Sequence, residues 1–160
     1  MIITKEFLHQ RFKYQNGFLF YKSKPANRIK IGDMAGYKNG DGYLVVEINH
    51  KCYGIHRLIF MMFNGYLPNE IDHIDNNRLN NKIENLRPAT KSQNCLNRTK
   101  RSDNTSGVKG VYWHKYRKKW QVSLSVNKKS KYFGLFDNFE LAELVSIEAR
   151  NKYHGNFAKN

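Results

Sequence analysis

Asp72 and His73 stand side by side, Asn85 follows His73 by twelve residues, and Asn94 comes nine further on. Each side chain suits one part of a phosphodiester hydrolysis. The Asp72 carboxylate and the Asn94 amide oxygen are hard ligands for a divalent cation, Mg²⁺ best and Mn²⁺ also, with water and phosphate oxygens filling the remaining positions. An imidazole such as that of His73 is the ordinary neutral-pH base for deprotonating a water. Asn85 is placed to accept from one ring nitrogen of His73 and so fix its tautomer. Successive residues of an ideal strand point to opposite faces, so bringing Asp72 and His73 to one site calls for a bulged or bent strand end.

The elements that must carry these residues are short. The pattern gives a strand at Ile71 to Ile74, an Asn-rich loop, a second strand at Leu86 to Ala89, and then a helix. Thr90 with Gln93 three residues on forms a capping box that marks the helix start. Asp72 and His73 then lie on a strand and Asn94 in the first turns of a helix, a ββα hairpin.

Composition supplies the partner. The 160 residues carry a net charge of +15 with a pI near 9.9, so nucleic acid is the default partner of such a surface. The longest wholly apolar run, Leu58 to Phe63, is six residues, whereas a membrane span needs ~20. Cys52 and Cys95 are too few for a disulfide framework or a four-thiolate zinc site and read as small buried apolar residues. Met1 to Glu6 has no apolar signal core, so the expected location is intracellular, in the cytoplasm. No obligate protein partner is evident.

Three textures follow one another. Up to about residue 55, Phe18 to Tyr21 after Asn16-Gly17, Tyr43 to Ile48 after Gly40-Asp41-Gly42, and Cys52 to Ile55 read as β-hairpins with core aromatics. His56 to Phe63 suits a short buried helix broken at Asn64-Gly65. His56 is expected to buttress the core through a buried hydrogen bond, and His9, His50 and His154 to be surface residues. Thr99 to Ser106 has no large apolar residue and reads as a linker. Beyond it, strands are expected at Val108 to Lys115, Trp120 to Val126 and Lys131 to Phe136. A helix capped by Asn138 follows, with a stripe of Leu141, Ala142, Leu144, Val145, Ala149 and Tyr153. From Asn104 to Phe136 there are eight Lys/Arg and no Asp or Glu, so charge is segregated onto this sheet.

Two resemblances join these readings. His73, Asn85 and Asn94 at this spacing, with Asn80-Asn81 and Asn85-Leu86-Arg87 between and Ile55-His56-Arg57-Leu58 upstream, resemble the HNH endonucleases, closest to the phage and intron-encoded homing type. The resemblance implies metal binding by Asp72 and Asn94, His73 as general base positioned by Asn85, and cleavage leaving 5′ phosphate and 3′ hydroxyl. Lys109-Gly110-Val111-Tyr112-Trp113, Lys119 to Leu124 and Tyr132 to Phe136 resemble the plant ethylene-response-factor (APETALA-type) DNA-binding domain. That likeness implies groove-facing Lys109, Tyr112, His114, Ser123, Ser125 and Tyr132. Arg117, Lys118, Lys119, Lys128, Lys129 and Lys131 would lie near phosphates.

The expected architecture is α+β: N-terminal β-hairpins with a ββα-metal nuclease core, then a three-stranded antiparallel sheet packed on one helix. The expected domains are a nuclease at 1–98 (core about 70–98), a linker at 99–106, and a DNA-binding module at 107–160. The expected activity is metal-dependent, site-specific cleavage of double-stranded DNA. The rival is a non-catalytic DNA-binding regulator on a degenerate nuclease fold, and the intact Asp72, His73 and Asn94 argue against it. A ribosome-associated basic protein leaves the central constellation unexplained.

Overall fold

The computed structural model describes residues 3–98, 100 and 102–158. Thr99 and Arg101 of the expected linker lie outside them, as do Met1, Ile2, Lys159 and Asn160 at the ends of the expected domains. The chain is mixed α/β with small antiparallel sheets and divides into two compact units, Met1–Lys91 and Ser92–Asn160.

The first unit opens with a helix absent from the sequence reading, α1 (Lys5–Arg11), where Thr4 Oγ1 accepts from the Phe7 amide at 3.2 Å as N-cap. β1 (Phe12–Gln15) and β2 (Phe18–Tyr21) form a hairpin across Asn16-Gly17, both with positive φ, the turn that matches strand twist. A Cβ on Gly17 would stand 2.9 Å from the Lys82 amide nitrogen, so only glycine lets the hairpin tip rest on the Asn81–Lys82 backbone. Tyr14 Oη accepts from the Ile83 amide at 3.2 Å beside it. The first hairpin thus braces the Asn-rich loop at Asn81–Ile83.

β3 (Tyr37–Lys38), β4 (Leu44–Ile48) and β5 (Lys51–Gly54) form a three-stranded sheet, with β4 and β5 joined by Asn49-His50, again both at positive φ. α2 (Ile55–Asn64) follows directly and stops at Gly65 in the left-handed region, as its Asn64-Gly65 signal predicts. Its Ile55, Leu58, Ile59 and Met62 pack with Leu8, Phe12, Leu19, Val46, Ile71 and Leu86 into one core. The last sheet of the unit is the pair β6 (Glu70–His73) and β7 (Leu86–Ala89).

The second unit contains most of α3 (Lys91–Asn97), then β8 (Val111–His114), β9 (Lys119–Val126), β10 (Lys129–Phe136) and α4 (Phe139–His154), with sheet order β10-β9-β8. β8 begins three residues later than expected because the Ser106 hydroxyl, 2.9 and 2.8 Å from the Val108 and Val111 carbonyls, shares its one proton between them and holds the intervening segment as a turn. Asn138 caps α4 by accepting from the Leu141 amide at 2.7 Å.

Cys52 and Cys95, expected to be buried, are both exposed. The expected apolar stripe of α4 holds at Ala142, Val145 and Ala149 and is corrected at Leu141 and Leu144. Leu141 and Leu144 are 48% and 56% exposed, and the buried face is Ala142, Ser146, Ala149 and Arg150. Small side chains let the helix sit close to Val111 and Val122, and the Lys109 carbonyl accepts from Ser146 Oγ at 2.6 Å. Among the described residues no helix is long and apolar enough to cross a membrane.

Candidate active site

Asp72 and Arg87 are opposite one another in the β6–β7 ladder. Arg87 Nε and Nη2 both donate to Asp72 Oδ2, at 2.7 and 2.6 Å, and the Asp72 side chain is only 3% exposed. A carboxylate buried this deeply needs such a partner, and the guanidinium fork fixes its orientation. The ladder runs without a register shift from Glu70 to His73, so the expected bulge is absent. The bend comes after the strand, where Asn76 takes φ 63° and donates to the His73 carbonyl at 2.9 Å.

His73 is 6% exposed. Its Nε2 lies 2.9 Å from Asn81 Oδ1, an acceptor, so the neutral ring carries its proton on Nε2 and its basic lone pair on Nδ1. His56 and Tyr43 complete the ring cluster, at centroid distances of 5.2 and 6.1 Å from His73. Arg78 lies 4.8 Å over the Tyr43 ring and donates to the Asp41 carbonyl at 2.6 Å.

The expected contact between Asn85 and His73 is not formed. Asn85 Nδ2 donates to Asp75 Oδ1 at 2.8 Å and to the Asn80 carbonyl at 2.7 Å, while its Oδ1 accepts from the Asp75 amide at 3.1 Å. Asp75 also accepts from the Asn77 amide at 2.8 Å and Asn80 Nδ2 at 2.7 Å. Burial pushes the Asp75 carboxyl up, but the bonds from Asn80, Asn77 and Asn85 outweigh it and hold the group below its usual range. Asn85 therefore acts on the loop, and the loop presents Asn81 to the imidazole. Asn81 is 1% exposed and was missed as a site residue because one Asn among many in a polar loop carries no signal of burial.

His56 also departs from expectation. Its Nδ1 is buried with no hydrogen-bond partner among the described residues, and the ring packs between Tyr43 and His73. A Cβ on Gly54 would stand 2.6 Å from this ring, so the glycine lets it fold back. Burial first, then the neighbouring His73 and Arg57, push His56 down to about 3. The unfolded chain therefore takes up a proton near pH ~6.5 that the folded chain refuses until about 3. This share of stability is present above pH ~6.5 and falls by roughly 1.4 kcal/mol per pH unit below it. His56→Gln should flatten the acid limb of urea-unfolding midpoints between about pH 6 and 4; an unchanged slope would remove His56 as its source.

The other four histidines have main-chain or surface contacts: His9 with the Met62 carbonyl at 3.0 Å, His154 with the Ser125 carbonyl at 3.0 Å, His114 accepting from the Arg117 amide at 3.3 Å, and His50 with Glu47 at 3.6 Å. Asn94 is half-buried on α3 in the second unit. Among the described residues there is no cluster of three or more His, Cys, Asp or Glu arranged to hold a metal.

In the second unit, strand register places Tyr112, His114, Ser123, Ser125 and Tyr132 on the sheet face opposite α4. Lys109 precedes β8 and is held through its carbonyl. Arg117 and Lys118 occupy the β8–β9 turn, Lys128 the β9–β10 turn, and Lys129 opens β10 opposite Val126. Two expected phosphate-facing lysines are engaged elsewhere. Lys131 is on the α4 side, donating to Tyr153 Oη at 2.7 Å, and Lys119 reaches Asp137 at 3.0 Å.

Residues 53–96, which include Asp72, His73, Asn85 and Asn94, match the family model described as HNH endonuclease. An HNH endonuclease domain is thus the class that this site defines. Over 112 residues the chain is 35% identical to Protein 3.8 of Escherichia phage T7, covering 69% of this chain and 92% of that protein. The chain belongs to the same family as that phage protein. Two uncharacterized HNH endonucleases of Acanthamoeba polyphaga mimivirus are each 41% identical, over 66 and 69 residues. Those matches cover 39% and 38% of this chain but only 35% and 20% of the mimivirus proteins. No solved structure matches the chain.

Proposed function

We propose that the protein is a metal-dependent, site-specific DNA endonuclease of the homing type, in which a ββα-metal HNH core cuts and the module at about 107–160 reads the duplex. The observation that carries this reading is His73, a buried imidazole oriented by Asn81 and adjacent in sequence to the buried Asp72, within the HNH-matched residues. His73 Nδ1 takes a proton from water, the water oxygen bonds to phosphorus, the bond to the 3′ oxygen breaks, and that oxygen takes up a proton from solvent water. The products are a 5′ phosphate and a 3′ hydroxyl.

Asp72 and Asn94 would hold the divalent ion. One orientationally fixed carboxylate and one amide fit Mg²⁺, which keeps several waters and takes few protein ligands. Bound there, the ion would offset charge on the scissile phosphate and the leaving oxygen. Supercoiled plasmid with Mg²⁺ should yield linear or nicked product, and EDTA should abolish it. Unchanged plasmid alongside a retarded band would instead establish a non-catalytic binder.

The reading module follows the APETALA-type resemblance, with the α4-distal face of the sheet towards the groove and Arg117, Lys118, Lys128 and Lys129 near phosphates. Base contacts specify while chemistry resides in the HNH core. Altering Tyr112, Ser123 or Ser125 should therefore cost ~1–3 kcal/mol of discrimination per good contact without slowing turnover of bound DNA. Footprinting with single-turnover cutting checks this. Sheet variants that keep the footprint but lose turnover would place the module in the active site.

A further inference from the structure

The second unit contains a cavity of about 720 Å³ that the reading above does not use. Its lining is basic: Arg98, Lys100, Lys109, Arg150 and His154 against one acid, Asp103. Arg150 is the informative member. It is 3% exposed on the buried face of α4, and its Nη1 donates to the Lys109 carbonyl at 3.0 Å. That oxygen already accepts from Ser146 Oγ. Arg150 Nε is buried with no hydrogen-bond partner among the described residues.

A guanidinium stays charged and offers five N–H donors in a planar fork. Burial weakens the charged form of Arg150 more than the nearby Glu143 carboxylate supports it, and the Nε donor stays unpaired, which is costly unless an anion completes the site. The fork matches phosphate, and the surrounding cations add to that preference. The same cavity is lined by Tyr112 and Ser125, two residues of the sheet face assigned to DNA reading. The cavity therefore shares two residues with the DNA-reading surface.

We propose that this cavity is a phosphate-group site, anchored by Arg150 with Arg98, Lys100 and Lys109 around it, filled by a backbone phosphodiester of duplex DNA or by a free phosphate. The duplex source rests on the DNA-reading role given above; the anion site does not.

The test follows the side-chain Nε–H resonance of Arg150 in the ¹⁵N-labelled full chain without Mg²⁺. It is assigned by its loss in Arg150→Lys, or sequentially if that variant fails to fold. One arm adds short duplex DNA and the other inorganic phosphate. A shift with duplex is expected, together with a fall of about 0.9 in the log–log salt slope of duplex binding for the exposed Lys100→Gln. A shift with phosphate while the duplex arm stays silent upholds the anion site and removes DNA as its source. No shift in either arm overturns the proposal, whether or not the duplex binds.

Discussion

His73→Ala should slow single-turnover cleavage by about 10²–10⁴-fold while leaving duplex affinity close to wild type. A general base acts on the proton moved in the transition state and contributes little to holding the duplex. The substitution also strips Asn81 Oδ1 of its buried partner, at a cost of roughly 1–3 kcal/mol, so the variant should melt lower yet remain folded. Rates are therefore compared below both melting transitions. Asn81→Ala provides the companion measurement. It leaves the base in place and frees its ring, so the pH–rate profile should shift while cutting persists above the His73→Ala level. A His73→Ala protein that cuts at wild-type speed would mean the base lies elsewhere.

Much of the positioning apparatus could be read from local chemistry. Asn16-Gly17 announced the first hairpin, Asn64-Gly65 the end of α2, and strict alternation from Trp120 to Val126 the central strand β9, because each signal is a backbone requirement met within a few residues. What escaped depended on contacts far apart in the chain. Arg87 meets Asp72 only because β6 and β7 pair in this register, and Asn81 is buried only because the Gly17 turn and Tyr14 close over its loop. The role expected of Asn85 went to its neighbour for a related reason. An Asn-rich loop offers several amides of the same chemistry, and only the bonds to Asp75 decide which of them faces inward. The α4 stripe was right at Ala142, Val145 and Ala149 and wrong at Leu141 and Leu144, because hydrophobicity was counted without size and close approach to the sheet favours small side chains such as Ser146.

The second large effect separates the two duties of Asp72. As one half of a buried ion pair it supports the fold, and as a metal ligand it would support cutting. Arg87→Met removes the guanidinium from a carboxylate that is 3% exposed, and breaking such a pair costs about 3–5 kcal/mol. The urea midpoint of the first unit should fall sharply. Asp72→Asn keeps the shape but not the charge, and cleavage should fail on every sequence alike because the ligand, not a base contact, has been lost. Neither single change distinguishes a dead enzyme from a weakened fold. The pair Asp72→Leu with Arg87→Met does, because apolar residues of similar volume commonly replace a buried ion pair at no cost or a gain of roughly 1–4 kcal/mol. This double variant should regain the stability that Arg87→Met loses, retain duplex binding through the second unit, and cut nothing. Restored cleavage in it would show that Asp72 serves the fold alone; stability no better than that of Arg87→Met would show that the pair was not what held β6 to β7.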